Sequence, residues 1–322
     1  MRLIAPIMVI LSLLLGGCTG NGAGPQGPAP PQHGIARSDA EALVGRYLQE
    51  KVEGRFDAAN QMLHPRIHNV AWARTPEWTQ WEIVNASEVE EGWLVETREH
   101  RTHGPTLTSS VGRAYYLVVK GEGGKLFVDV PELRWSGEKG SRYATVATSA
   151  TPDQENPNRR LVMTEGGTRV LAEIEPDLPK VFRPFGAGPD VQFGVGDNGW
   201  GALALSPDLT TVAFVTRGTH AFLGLVDRQG AVKGLDLWFE GGAGELAWSF
   251  DGRYLAATNA SPRGIFTLQL WDLTAGQPVK VTGLPDGQDV SHPQWINSTL
   301  HLRAGVQRWM VDPVTGRAVP SK

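Results

Sequence analysis

The chain has 322 residues, 41% of them hydrophobic and 20% charged, which suits two compact units with ordinary cores and excludes a disordered chain. A formal net charge of -4 and a pI near 6.1 leave no basic surplus for a nucleic-acid footprint, so nucleic acid is not an expected partner. The 39 glycines and 22 prolines point to many turns and short strands, and the single cysteine, Cys18, excludes an intramolecular disulfide.

Residues 1–17 carry one basic residue, Arg2, then an apolar run from Leu3 to Leu15 broken only by Pro6 and Ser12. That is the profile of a signal peptide, and the run falls short of the ~20 residues that a membrane-spanning helix needs. It ends in Leu15-Gly16-Gly17-Cys18, which resembles the bacterial lipoprotein box. The resemblance implies cleavage between Gly17 and Cys18, a thioether-linked diacylglycerol on Cys18, and acylation of the new terminus. The expected location is therefore extracytoplasmic, with a bacterial lipid bilayer as the first partner. Each buried methylene contributes ~0.8 kcal/mol, so several chains on one residue hold stably. Residues 18–36, with TGNGAGPQGPAPPQHG after the cysteine, can pack no core and read as a tether. Fully extended at ~3.3 Å per residue, that tether reaches roughly 60 Å.

A first folded unit is expected over 37–136. Ser38 followed three residues later by Glu41 reads as a capping box opening a helix, with Leu43, Val44, Tyr47, Leu48 and Val52 on one face and Gly54 as the stop. A second helix is expected from Phe56 to Leu63, ending before Pro65. The period then changes to two: WEIVNASEVE, GWLVETREHR, GRAYYLVVKGEGG and KLFVDVPELRW read as strands, the last two joined by a Gly-rich turn. Two helices followed by such a sheet, in particular YLQEKVEGRFDAANQMLHP and YYLVVKGEGGKLFVDVPEL, resemble the nuclear-transport-factor-like family. The resemblance implies an α+β cone-shaped domain. That family holds both enzymes, with an acid or a histidine in the cone, and members that only bind partners. No local motif here matches a catalytic one, so no catalytic residue is expected.

Two groups of side chains in this unit invite a site. His64 and His68 in HPRIH, with His100 and His103 in HRTH, have spacings open to metal ligation, although Pro65 breaks the helix that would align the first pair. Structural histidines are the favoured reading. Trp72, Trp78, Trp81 and Trp93, with Trp135, concentrate here as a sugar or apolar-ligand pocket requires, against core packing of a curled sheet as the plainer alternative.

The second unit, 143–322, is marked by repetition. ALALSPDLTTVAFVT, ELAWSFDGRYLAATN and HPQWINSTLHLRAG align with Ser206, Ser249 and Ile296 in register, at spacings of 43 and 47. Each is followed by a strand ending in Asp227, Asp272 or Asp312 and a turn into another strand. The segments LSPD, WSFDGRYLA and LWDLTAGQPV resemble the blades of TolB-like and WD-repeat propellers. The resemblance implies an all-β, propeller-like domain of about four blades, the fourth a degenerate one around Thr151-Pro152-Asp153. Either the ring closes, or it stays open with edges that a partner or a second copy must cover. The recurrent aspartates read as turn residues accepting backbone N–H groups, with Gly252 supplying a positive φ.

The expected architecture is thus an α+β cone-shaped domain followed by a propeller-like repeat domain, behind a lipidated tether. Its expected role is a non-enzymatic, membrane-anchored binding or scaffold protein for another envelope component, with no cofactor. The alternatives are a sensor lipoprotein for a small ligand or ion, and an enzyme with its site in the cone around His64, His68, His100 or Asp57. No GxSxG elbow supports nucleophilic chemistry.

Overall fold

A computed structural model describes residues 33–67, 78–103, 107–130, 147–183, 191–192, 199–218, 220–239, 243–260 and 264–321. Gly17, Cys18, His68, Trp72 and Trp135 lie outside the described residues, as does the side chain of Trp78.

Helix α1 spans Arg37–Val52. The expected capping box does not form. The helix begins one residue before Ser38, so the serine is already inside the first turn. The carbonyl of Ala36 accepts the N–H groups of Asp39 and Ala40 at 3.1 and 3.2 Å, and Glu41 accepts from Arg37 Nε at 2.7 Å. The buried face is Ala40, Leu43, Val44, Tyr47, Leu48 and Lys51, whereas Val52 is only half-buried. Gly54, at φ 72, closes the helix by donating its N–H to Lys51 at 3.0 Å. Helix α2 is shorter than expected, Phe56–Asn60, and turns carry the chain on to Leu63.

Three long strands follow, β1 (Trp78–Val89), β2 (Gly92–His103) and β3 (Thr108–Lys120), in an antiparallel meander. A single 3-10 turn, Glu122–Gly124, folds β4 (Leu126–Asp129) back on β3, with Gly123 and Gly124 at φ 72 and 81. Helix α1 lies on one face of this sheet, where Leu43, Val44, Tyr47 and Leu48 pack with Val95, Tyr116, Val118 and Val128.

Strand β3 is longer than β4 and shares its far edge. Leu117–Lys120 pair with β4, while Ser109–Gly112 pair with β5 (Ala147–Pro152), which continues through β6 (Leu161–Glu165) to β7 (Arg169–Ile174). One sheet, in the order β1-β2-β3-β5-β6-β7, therefore runs from the first unit into the degenerate repeat, and β3 serves as that repeat's fourth strand. A short pair, β8 (Val181–Phe182) and β9 (Val191–Gln192), precedes the regular repeats.

The repeats themselves are three four-stranded antiparallel sheets. The first holds β10 (Trp200–Leu205), β11 (Thr211–Thr216), β12 (His220–Asp227) and β13 (Val232–Phe239). The second holds β14 (Ala243–Trp248), β15 (Tyr254–Ala260), β16 (Phe266–Asp272) and β17 (Gln277–Val279). The third holds β18 (Val290–Ile296), β19 (Thr299–Ala304), β20 (Gln307–Val311) and β21 (Ala318–Pro320). The chain is mostly strand, arranged as propeller-like blade repeats.

Alternation with period two lets each sheet bury both faces. On β10, Leu203 and Leu205 join the core shared with the β5–β7 strands, while Ala202 and Ala204 face Leu246 and Trp248 of the next sheet. Ala247 and Ala256 in turn pack with Trp295 and Leu300. Tryptophans at equivalent repeat positions lock neighbouring sheets: Trp248 Nε1 donates to the Ala204 carbonyl at 2.9 Å, and Trp295 Nε1 to that of Ala247 at 3.1 Å. Strand β3 packs on β10, β10 on β14, β14 on β18, and β18 on β1. Because β1 and β3 share one sheet, the circuit closes within a single chain, and the first unit occupies the gap between the first and last repeats.

Candidate functional site

The first-to-second strand turns of the repeats are built on the aspartates singled out from sequence. Asp208 accepts from the Ser206 hydroxyl at 2.6 Å and the Thr210 N–H at 3.1 Å. Asp251 accepts in the same way from Ser249 at 2.5 Å and the Arg253 N–H at 3.0 Å, with Gly252 at φ 72. In the last sheet the turn is Asn297-Ser298, both with positive φ, and no aspartate is present. The turn of the first sheet lies near Arg98 of β2, and those of the last two sheets lie beside α1 and β1.

A cavity of about 820 Å³ opens there, walled by α1 (Ser38, Glu41, Ala42, Gly45), β1 (Trp81, Glu82, Ile83) and the turns of the last two sheets (Phe250, Asp251, Arg253, Tyr254, Asn297, Ser298). Gly45 lets Trp81 approach, since a Cβ there would sit 3.2 Å from the indole Cη2. Tyr254, 5% exposed, stacks on Trp295 with ring centres 5.9 Å apart, and the Arg253 guanidinium lies 4.8 Å from its ring. Burial raises the Tyr254 hydroxyl above its ordinary range, against the opposing charge of Arg253.

Three charged side chains of the cavity wall are paired, while Asp251 is held by the hydrogen bonds of its own turn. Glu82 pairs with Arg98 at 2.9 Å, Glu41 with Arg37 at 2.7 Å, and Arg253 with Asp272 at 2.7 Å. Burial nevertheless raises the Glu82 carboxyl, helped by Asp251 and opposed by Arg98. Among the described residues of the cavity wall, Trp81 Nε1 and the Tyr254 hydroxyl are buried without a hydrogen-bond partner. The cavity thus offers aromatic faces set among paired charges, with the Asp251 carboxylate at its rim. A second cavity, about 480 Å³, shares Phe250 and Asp251 with the first and reaches Arg98, Asp208 and Lys233.

Of the residues proposed from sequence, Trp81 lines this cavity. Trp93 does not: its Nε1 donates to the Ile35 carbonyl at 2.9 Å and its ring meets His33 edge-on. The backbone of Trp78 pairs with Arg101 at the start of β1. His64 packs edge-on against Phe127 and accepts the Arg66 N–H at 3.2 Å. His100 is buried edge-on against Phe250, 5.2 Å between ring centres, and burial together with Arg98 pushes its pKa down to about 3. His103 ends β2 opposite Thr108, and Asp57 is exposed on α2. His64 thus lies apart from His100 and His103, which share β2, and no group of three potential metal ligands occurs among the described residues.

One buried polar cluster escaped the sequence reading. Glu99 on β2 accepts from the Tyr116 hydroxyl at 2.7 Å, from Thr97 at 3.1 Å and from Arg101 at 2.6 Å. Val95, Thr97 and Glu99 share the inward face of β2, so strict alternation from Val95 was the signal available. Burial, and then the Glu99 charge, raise the Tyr116 hydroxyl well above its ordinary range.

No protein family and no curated protein matches the chain. Among solved structures, it is similar to a TolB from Agrobacterium tumefaciens at 12% identity and a TM-score of 0.36, over 54% of this chain and 57% of that one. It is also similar to the Dos1 propeller, at 8% identity and a TM-score of 0.36 over 70% and 66% of the two chains. A 6-phosphogluconolactonase from Bacteroides uniformis matches at 14% identity and a TM-score of 0.29 over 70% and 90%. The chain thus spans little more than half the length of that TolB. Among the described residues, no helix is long and apolar enough to cross a membrane.

Proposed function

We propose that the protein is a lipid-anchored, extracytoplasmic binding protein of the bacterial envelope, with a nuclear-transport-factor-like first unit and a TolB-like, WD-like propeller as its second. It holds another envelope component in the cleft between α1, β1 and the repeat turns. The observation that carries this reading is the cleft itself: its volume falls within the ~300–1,000 Å³ typical of binding sites, it joins both units, and it is lined by the aromatic side chains of Trp81, Phe250 and Tyr254. Its acids Glu41 and Glu82 each hold an arginine, an arrangement suited to shaping a surface. The lipid anchor rests on the Leu15-Gly16-Gly17-Cys18 box.

Two measurements test the proposal. Cys18→Ala should move the protein from the membrane to the soluble fraction, and persistent lipid labelling of that variant would overturn the anchor. Crosslinking on intact membranes should capture a partner with the wild-type chain and lose it with Ala42→Trp, which fills the cleft from an exposed helix position. Equal capture by both would remove the cleft from the reading.

A further inference from the structure

We infer that β1 is an acceptor edge, to which an extended peptide segment of the partner adds as a further strand, lying between α1 and the turns of the last two sheets. The inference rests on the binding reading above and names its chemistry.

Strand β1 ends the sheet order, and no other strand of the described residues pairs with its outer edge. Trp81, Glu82 and Ile83 are consecutive, yet all three line the same cavity. Successive side chains of a strand point to opposite faces. Trp81 and Ile83 do pack toward the α1 core, whereas Glu82 points to Arg98 on the other face. A cavity that touches both faces of one strand runs along its edge, where half of the backbone N–H and C=O groups are presented. Among the described residues, the backbone of 81–84 pairs with β2 and with no other strand.

The pairing of β1 with β2 is regular from Gln80 to Ile83 and irregular on either side, so the incoming strand has about four residues of straight edge to follow. Strand addition supplies affinity through main-chain hydrogen bonds and specificity through alternate side chains. Here one set of the partner's side chains meets Trp81, Ala42 and Gly45, and the other meets Glu82, Asp251 and Arg253, which calls for a segment alternating apolar and polar residues. The chain's own tether is a poor occupant, because Pro25, Pro28, Pro30 and Pro31 lack the N–H groups that a strand must offer.

The test uses the full chain in detergent with capped octapeptides alternating Val or Ile with Thr or Ser. Each peptide is paired with two copies N-methylated at every second residue, one in each phase. Hydrogen exchange at 81–84 should slow when the peptide binds. Methylation in one phase should weaken binding at least about tenfold while the other phase leaves it intact, and Ala42→Trp should weaken it similarly at unchanged Tm. Absence of peptide binding overturns the inference, as does equal loss in both methylation phases. The same protection produced by a neutral oligosaccharide such as chitohexaose overturns it in favour of a glycan. Protection already present in the free chain and lost on deleting residues 21–31 overturns it in favour of the tether. If Ala42→Trp abolishes partner capture from membranes while no octapeptide binds, strand addition falls and the binding role stands.

Discussion

The side-chain amide of Gln80 donates to the backbone carbonyl of Trp248 across 2.5 Å, although 168 residues separate them in sequence. The same side chain accepts the Trp295 N–H at 3.4 Å and is fully buried. One residue of β1 thus ties the first unit to the inner strands of the last two repeat sheets. Gln80→Leu keeps a similar volume but strands a buried carbonyl and a buried N–H, each costing about 1–3 kcal/mol when left unmatched. The expected result is a chain that folds but loses on the order of 2–4 kcal/mol, read from the denaturant midpoint at constant slope. An unchanged midpoint would mean that water or relaxation replaces the amide.

The repeats should not stand alone. A fragment of residues 147–321 removes Ser109–Gly112 from the edge of β5, the Ser109 hydroxyl that accepts the Leu205 N–H at 2.9 Å, and β1 from the side of β18. An exposed edge and an uncovered inner strand invite association between chains. The fragment is expected to oligomerise and to melt well below the full chain, as measured by light scattering and thermal unfolding. A monomeric fragment with the full chain's Tm would show that the first unit adds nothing to the ring.

The repeated sheets were legible because their signal is local and recurs: Ser206, Ser249 and Ile296 mark a turn of fixed position, and Leu205, Trp248 and Trp295 just before it occupy equivalent places on the inner strands. The long strands of the first unit were legible for the same reason, since their alternation is carried by each strand alone. The sharing of β3 between β4 and β5 was not, because pairing across the edge of a strand depends on residues tens of positions away. Gln80 looked like one polar residue in a strand, and only the closing of the ring gives its amide two partners. The capping box failed at finer scale: Ser38 and Glu41 have the right spacing, but Ile35, 2% exposed in the core, fixes the chain just before the helix and lets the turn begin at Arg37.

His100 gives the fold an acid-sensitive element. Its pKa falls from the ordinary 6.5 to about 3, through burial and then the Arg98 charge, so between those values the unfolded chain binds a proton that the folded chain does not. Stability therefore rises with pH across that window and is lost as pH falls from about 6.5 toward 3, by at most ~1.4 kcal/mol per pH unit. His100→Phe keeps a ring against Phe250 and removes the titration. Its stability relative to wild type should improve steadily as pH drops through the window and stay constant above pH 7. A difference independent of pH would mean that the imidazole gains a proton at no cost, through local opening.

Asp272 acts in the opposite sense of charge but in the same direction of pH. The hydrogen bond from Arg253, then the backbone N–H of Ala275, hold its carboxyl below the usual range. Arg253 Nη2 lies 2.7 Å away, and the Thr274 and Ala275 N–H groups each donate at 3.0 Å. A depressed folded pKa means that the stabilisation is complete above the unfolded value near 4 and disappears as pH falls through the folded one. Asp272→Asn retains the shape of the turn and loses the charge, so at pH 7 it should cost about 1.5–3 kcal/mol, the range for a hydrogen bond to a charged group. The gap between wild type and variant should stay level from pH 7 down to about 5 and close below pH 4, a lower window than that of His100. Because Arg253 also lies over Tyr254, the variant should loosen the cleft wall, and faster hydrogen exchange in β15 is the accompanying readout. If exchange there stays unchanged while stability falls, the Arg253–Asp272 pair supports the turn alone.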